Sequence, residues 1–476
     1  METNTAPNLF ERLNNWIKES ITIKLMSIGF LVLILLIPSS WIESLIVERQ
    51  IRSESVIQEI SSKWSGEQSI VGPILVIPFI QREKIDKGKD GIEIRESVEK
   101  AFFLSEKLSI AGKVIPQILH RGIFEAVVYE SELDVAATFG TPDFQKLNIA
   151  VTDVLWKDAY MILGLNDLRG ISKNPTIKIG DKELTGEPSS QIGLTTQYKN
   201  SNDSYDSNSA VISSENGIIA DLPWLSQEDF SGVASIKMSL KGSTLLYFVP
   251  TGKTTHVSLQ SPWASPGFDG SFLPSVREVN DAGFTAQWDI LHYNRPFSQQ
   301  WIGSGQALSG SEFGVKLLIP VDQYQKSIRT SKYGVLIILL TFISLFMVEI
   351  MRKVRIHPFQ YILIGAALII YYSLLLSFSE HVGYDYAYLI ASAATVILVS
   401  LYSRTFLQEK SLPSQRHGLT YIFSFLLVFF YGFIFVIIQL QDYSLLLGSI
   451  GLFFIIGMLM YFSKNIKWYK DEKSGG

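Results

Sequence analysis

The sequence predicts an α-helical membrane bundle joined to a mainly-β external domain, an antiparallel sandwich either single or doubled. Two observations carry this. Six stretches lack charge over nearly the length needed to cross ~30 Å of hydrocarbon. Between the first and second of them lies a long segment of β-branched runs separated by Gly, Pro and Asn.

Residues 1–24 form an N-terminal arm carrying Arg12, Lys18 and Lys24. Leu25–Ile42 follows as an apolar anchor helix, 25–42. A cleavable signal peptide has a similar look, but the exit "IPSSWIESLIVERQ" offers no small-x-small site, so the stretch reads as an uncleaved signal anchor. Leu45, Ile46, Ile57, Ile60 and Trp64 then recur at helical spacing up to Gly66, which predicts a stalk helix over 44–64.

The external domain, 43–332, starts with that stalk. "SIVGPILVIPFI" is a strand broken by Pro73 and Pro78, which predicts an edge or a bulge. "FFLSEKLSIAGKVIPQ" and "SIKMSLKGSTLLYFVP" each read as paired strands around a glycine turn, and "EAVVYESELDVAATF", "NIAVTDV" and "FTAQWDILHY" as further strands. Residues 197–217 are a Ser/Asn/Asp-rich surface loop.

Tyr333–Val348, Phe359–Ser379, Tyr386–Ser403, Leu419–Leu440 and Tyr443–Phe462 make a five-helix bundle over 333–462, followed by a tail, 463–476. Arg352, Lys353 and Arg355 lie in one connecting loop, Arg404, Lys410 and Arg416 in another, and Lys464, Lys467, Lys470 and Lys473 in the tail. Six crossings put all of these on the face of the N-terminal arm. Retention of Lys and Arg makes that face the cytoplasm, with both termini there and the large domain outside. In a double-membraned bacterium that outside is the periplasm. Glu349, near the inner end of its span, is expected to pair locally with Arg352 and Lys353.

Composition excludes several classes. Of 476 residues 18% are charged, against about 25% in soluble domains. A net charge of −4 points away from nucleic acid. Without cysteine there are no disulfides, thiolate metal sites or Cys nucleophiles. "TGKTTH" lacks the earlier glycine of a phosphate loop, with Tyr247 in its place, and HExxH, GxSxG and GxGxxG do not occur. The sequence nominates no catalytic residue, cofactor or metal.

Two places are candidates for binding. Residues 259–301 combine prolines and glycines with Trp263, Phe268 and Trp288 beside Arg277, His292 and Arg295. Rigidly held rings near cations suit a saccharide, an anionic glycan or a partner protein; the plainer reading is that the rings fill the sandwich core. In "SFSEHVGYDY", residues 377–386, Glu380 and His381 lie between two spans. They form either a shallow site for a cation, proton or partner loop, or only the turn where the chain surfaces.

Several long passages together resemble the CreD family, the cell envelope integrity inner-membrane proteins of Gram-negative bacteria. They are "LLIPSSWIESLIVER", "SIVGPILVIPF", "LQSPWASPGFDGSFLPSVREVNDAGFTAQW", "IPVDQYQKSIRTSKYGVLIILLTF", "RIHPFQYILIGAALIIYYSLLLSFSEHVGY" and "LLLGSIGLFFIIGMLMYFSKNIKWY", in that order. The resemblance implies an inner-membrane protein with a periplasmic domain, associated with envelope maintenance, colicin tolerance and stress responses. It brings no catalytic residues. The expected function is therefore non-catalytic support of envelope integrity, through the bilayer and an envelope glycan or membrane-protein partner. The alternatives are a lipid or glycan transporter, or an envelope-modifying hydrolase.

Overall fold

The computed structural model describes residues 21–86, 92–194, 197–198, 212–213, 216–303, 306–308, 310–317, 323–352, 356–409, 416–440 and 443–464. Most of the Ser/Asn-rich loop, and Arg12, Lys18, Lys353, Arg355, Lys410, Lys467, Lys470 and Lys473, lie outside them. The chain divides into two units, Glu54–Pro320 and Met1–Ser53 with Val321–Gly476. The first helix, α1 (Ile21–Trp64), covers the predicted anchor and the predicted stalk as one 44-residue element.

In the β unit, β1 (Gln68–Asp86), β2 (Ile92–Phe103), β3 (Lys107–Arg121) and β4 (Phe124–Thr138) are long. β5 (Tyr160–Leu165), β6 (Thr176–Ile179), β7 (Lys182–Leu184), β8 (Gly186–Ser189), β9 (Gln197–Tyr198), β10 (Ile212–Ser213) and β11 (Gly217–Asp221) are short. β12 (Val233–Ser243), β13 (Leu245–Phe248), β14 (Thr254–Ser261), β15 (Pro266–Gly270), β16 (Val276–Asn280), β17 (Gly283–Leu291), β18 (Gln300–Ile302) and β19 (Phe313–Leu317) follow. One sheet runs β16-β17-β14-β3-β4-β12-β6-β7; the other runs β15-β19-β13-β1-β5-β11-β8, with β2 against β1 and β18 against β2.

Both sheets contribute to one apolar core, as in a single β-sandwich. β3 shows the expected period of two, with Leu108, Ile110 and Val114 inside and their neighbours exposed. β1 is buried on both faces. Ile70, Leu75, Ile77 and Phe79 enter the shared core, while Val71, Ile74 and Val76 enter a second, smaller one with Phe102, Phe297, Trp301 and Leu308. That explains its unbroken hydrophobic run.

Several local expectations are corrected. At Pro73 the edge alternative is corrected and the bulge alternative is found, in a central strand: the register against β5 shifts between Val71 and Ile74, and Gly72 adopts φ 103°. β2 and β3 are not a hairpin, and neither are β12 and β13. Each pair crosses from one sheet to the other. Gly112 and Gly242 are interior strand positions, where a Cβ would come within 2.6 Å of Leu259 and 2.2 Å of the Tyr129 hydroxyl. "NIAVTDV" contains a 3-10 turn, Val151–Asp153, instead of a strand. Two pairings, β1 with β13 and β14 with β3, are parallel. Each joins strands far apart in sequence, so no tight turn has to link them.

The helical unit contains the start of α1, then α2 (Gln323–Lys332), α3 (Gly334–Arg352), α4 (Pro358–Val382), α5 (Tyr384–Glu409), α6 (Arg416–Gln439) and α7 (Ser444–Ser463). Residues 323–332, expected in the external domain, belong here as α2, with Tyr324, Ser327, Thr330 and Ser331 buried. Among the described residues five helices are long and apolar enough to cross a membrane: Ile23–Trp64, Gln323–Ile350, Pro358–Val382, Tyr384–Leu407 and Thr420–Gln439. A shorter apolar helix is Leu446–Gly457. Ile28, Leu31, Val32 and Leu35 recur at helical spacing on α1 and pack into the core of the unit with Phe342, Leu368 and Tyr372. Gly365 admits Leu35, whose Cδ1 lies 2.3 Å from where a Cβ would stand.

Candidate functional sites

The passage "SFSEHVGYDY" is a one-residue break between helices. Gly383, at φ 78°, ends α4 while its N–H still donates to Ser379 O, and α5 starts at the next residue. This is the turn of the plainer reading, but the carboxylate beside it is not at the surface. The Glu380 side chain is 8% exposed. Arg49 on α1 grips it with both arms of its fork, Nε to Oε1 at 2.8 Å and Nη2 to Oε2 at 2.6 Å. Tyr324 on α2 adds a third donor to Oε1 at 3.0 Å. Two elements, α1 and α2, thus meet α4 at one side chain. His381 is exposed.

A second layer adjoins it. Asp385 accepts from Gln439 at 2.6 Å and faces Lys326 at 3.5 Å. The Thr330 and Tyr384 hydroxyls lie 2.6 Å apart, and the Lys326 ammonium is 5.3 Å from the Tyr384 ring.

Glu349 forms the other buried acid. Among the described side chains its partner is Lys24 on α1; the expected partners, Arg352 and Lys353, lie outside them. Tyr361 donates to Glu349 at 3.2 Å and the Ile356 N–H at 3.1 Å. Lys24 and Arg49 are separated by about 37 Å of helix, at 1.5 Å per residue. α1 is therefore fastened to the unit by one ion pair at either end of its apolar stretch. Sequence reasoning missed Arg49, Tyr324 and Lys24 as partners. The only signal was that Lys24 and Arg49 flank the apolar run.

In the β unit the aromatic passage separates into core and rim. Trp288 is fully buried and donates to Phe272 O at 3.1 Å, so it offers no face to a ligand; this corrects its nomination as a surface residue. Phe268 on β15 packs edge-on against Phe284 and Trp288, with centroids at 5.7 and 5.9 Å. Trp263 is half-buried against the same core. The Arg277 guanidinium is exposed, 6.0 Å from the Phe268 ring. His292 and Arg295 lie beyond the end of β17. Arg295 is buried, donates to Phe297 O and Gln299 Oε1, and stacks 4.2 Å from the Phe297 ring. Burial holds its pKa down to about 10.

Sequence reasoning also missed the strand between these groups. β16 forms one edge of its sheet and all five of its residues are exposed. Val276 and Val279 on β16, with Leu273, Leu291 and Tyr293 nearby in sequence, leave large apolar side chains open to solvent. An open groove of about 320 Å³ is lined by Lys113, Gln260, Ser261, Glu278, Asn280 and Phe284. Among the described residues no group of three or more His, Asp and Glu could hold a metal ion.

The family model described as Inner membrane protein CreD matches residues 20–469, a span that takes in both units. The chain belongs to the CreD family. One curated relative, Inner membrane protein CreD of Escherichia coli (strain K12), is 29% identical over 453 residues, covering 94% of this chain and 93% of that protein. Both the buried acids of the helical unit and the exposed β16 edge therefore lie within the part that matches CreD. With its long apolar helices, this CreD-family chain is a membrane protein.

Proposed function

We propose that the chain is a non-catalytic inner-membrane protein that supports envelope integrity, with its β unit in the periplasm binding an envelope component or a protein partner. The observation that carries the reading is the β16 edge. Single exposed hydrophobics are ordinary, but an open strand edge with several of them is a surface for another chain or ligand. Arg277, Phe268 and Trp263 supply a cation and rings along the same passage. The cations in the short connecting segments support cytoplasmic termini, and the printed name of the relative supports the inner membrane.

The test is complementation in cells lacking their CreD-family protein. Val276→Lys with Val279→Lys, in a full chain that reaches the membrane at normal levels, is expected to lose tolerance to envelope stress. Full tolerance in that variant would remove the edge from the proposal. Because the chain has no cysteine, a single Tyr293→Cys gives one thiol for orientation. It should react with an impermeant maleimide from the periplasmic side.

A second reading is a lipid or glycan transporter, or a component of one, with the Glu380 cluster at its outer mouth. It is favoured by the buried carboxylate, since a bundle that only anchors gains nothing from ionised groups it must desolvate. Flux into vesicles carrying the purified protein, reduced by Glu380→Gln, would support it, and sealed vesicles would dismiss it.

A further inference from the structure

Tyr371 and Tyr372 stand near the midpoint of α4, and Tyr388 and Tyr431 pack against the Tyr371 ring from α5 and α6. The side chains of Tyr371, Tyr372, Tyr431 and Ser392 are 0%, 3%, 2% and 8% exposed. Tyr371, Ser392 and Tyr388 lie within hydrogen-bonding reach of one another, whereas the Tyr372 and Tyr431 hydroxyls have no partner among the described residues.

Other hydroxyls in the same helices avoid this. Tyr384 meets Thr330, Tyr361 donates to Glu349, and Tyr388 donates to Tyr431 O at 2.7 Å. Ser344 and Ser403 donate back to carbonyls of their own helices, as helix serines readily do. Tyr372 and Tyr431 have no such partner, and phenylalanine would fill nearly the same volume at both positions with no polar atom to satisfy. Within a bilayer an unmet hydroxyl is costly, because no solvent is at hand to meet it. Gly334 at the start of α3 lets the Tyr372 ring approach the backbone closely, since a Cβ there would lie 3.0 Å from the Tyr372 hydroxyl.

We infer that the Tyr372 and Tyr431 hydroxyls, beside the Tyr371–Ser392–Tyr388 group, hold internal water within the helical unit. The guest is neutral, able to donate and to accept, and small. Hydroxyls match both roles, and the rings packed around Tyr371 and Tyr372 are those of other tyrosines, not charged groups. The site gives the bundle a wet interior beyond what anchoring requires, and it stands independently of the proposed role of the β unit.

The test uses the full chain in lipid nanodiscs. Millisecond radiolytic labelling modifies buried side chains that touch bound water. Tyr372 and Tyr431 are expected to label faster than Tyr129, which is equally buried but whose hydroxyl is bonded to Leu245 O. Tyr372→Phe and Tyr431→Phe preserve shape, so folding should not fail. Each is expected to lower the unfolding midpoint by about 2–4 °C, as loss of a satisfied hydrogen bond does in a unit of this size. Labelling no faster than at Tyr129 would overturn the inference. So would phenylalanine variants that melt at the same or a higher temperature, since removing a dry, unmet hydroxyl relieves a cost.

Discussion

Removing either partner of the Arg49–Glu380 pair should destabilise the helical unit, but unequally. Arg49→Met leaves a carboxylate whose side chain is 8% exposed, with Tyr324 as its remaining donor. Glu380→Gln leaves an arginine whose side chain is 37% exposed and can turn toward solvent. Stranding a buried charge costs about 3–5 kcal/mol, whereas losing a partner at a more open group costs about 1 kcal/mol. The two losses should therefore differ by a factor of several, with the arginine variant the weaker protein. The double variant Arg49→Met/Glu380→Gln should be more stable than Arg49→Met alone, because no charge is left stranded. The assay is reversible unfolding of the full chain in mixed micelles, followed by helical circular dichroism. Equal losses in the two single variants, or strict additivity in the double, would refute the reasoning.

Other outcomes are as specific. Burial pushes the Asp167 carboxyl up, but the Arg169 side chain and the Gly66 and Arg169 amides more than reverse this and hold it at about 2, below its usual 3.8. A depressed carboxylate stabilises the fold above pH 3.8 and loses that contribution as pH falls through about 2, so Asp167→Asn should cost about 2 kcal/mol at pH 7, with the gap closing below pH 4 in urea titrations. Glu312 is the opposite case: burial raises its pKa, and the backbone amides of Glu312, Gly310 and Ser311 offset this only in part. Its contribution is complete below the usual carboxyl range and fades as pH rises through the raised value, so Glu312→Gln should raise the unfolding midpoint at pH 7 and leave it nearly unchanged at pH 4. Gly365→Val should separate α1 from α4 at Leu35 and cost about 1–3 kcal/mol by overpacking, measured in the same micelle assay.

Period and composition told the two kinds of structure apart. The apolar runs became helices, and the strand "EAVVYESELDVAATF" appears as β4 with alternating burial from Ser131 onward. What local pattern could not tell was pairing. "LSIAGKV" looks like a hairpin because glycine usually marks a turn; here Gly112 sits inside a strand because Leu133 and Leu259 take the space of its side chain. Thr244, at φ 59°, turns the chain between sheets without any glycine. The candidate sites divide along the same line. Glu380 could be singled out because a carboxylate beside an apolar span is unusual, but Arg49 lies 331 residues away in sequence and nothing local joins them. Trp288 and Phe268 attracted notice as rings among prolines, and burial of the first is decided by strands that sequence spacing does not reveal. The β16 edge escaped notice because Val276 and Val279, separated by charged residues, look like any half-buried strand.

The strand order of the β unit has a consequence for its biogenesis. The chain threads back and forth between the two sheets, so neither is assembled from a continuous stretch of polypeptide. Gln68 at the start of β1 lies opposite Leu246 of β13, 178 residues later, and β13 in turn needs β19. At translation rates of about 5–20 residues per second, the start of β1, Gln68–Ile70, waits about 10–40 s for β13 to be made, whereas Leu75–Asp86 pair with β2 much sooner. During that interval the start of β1 keeps an open side, and a chaperone that shields nascent chains would find its client there. A truncation between β13 and β19 leaves β13, the cover of that open side, without its own outer neighbour.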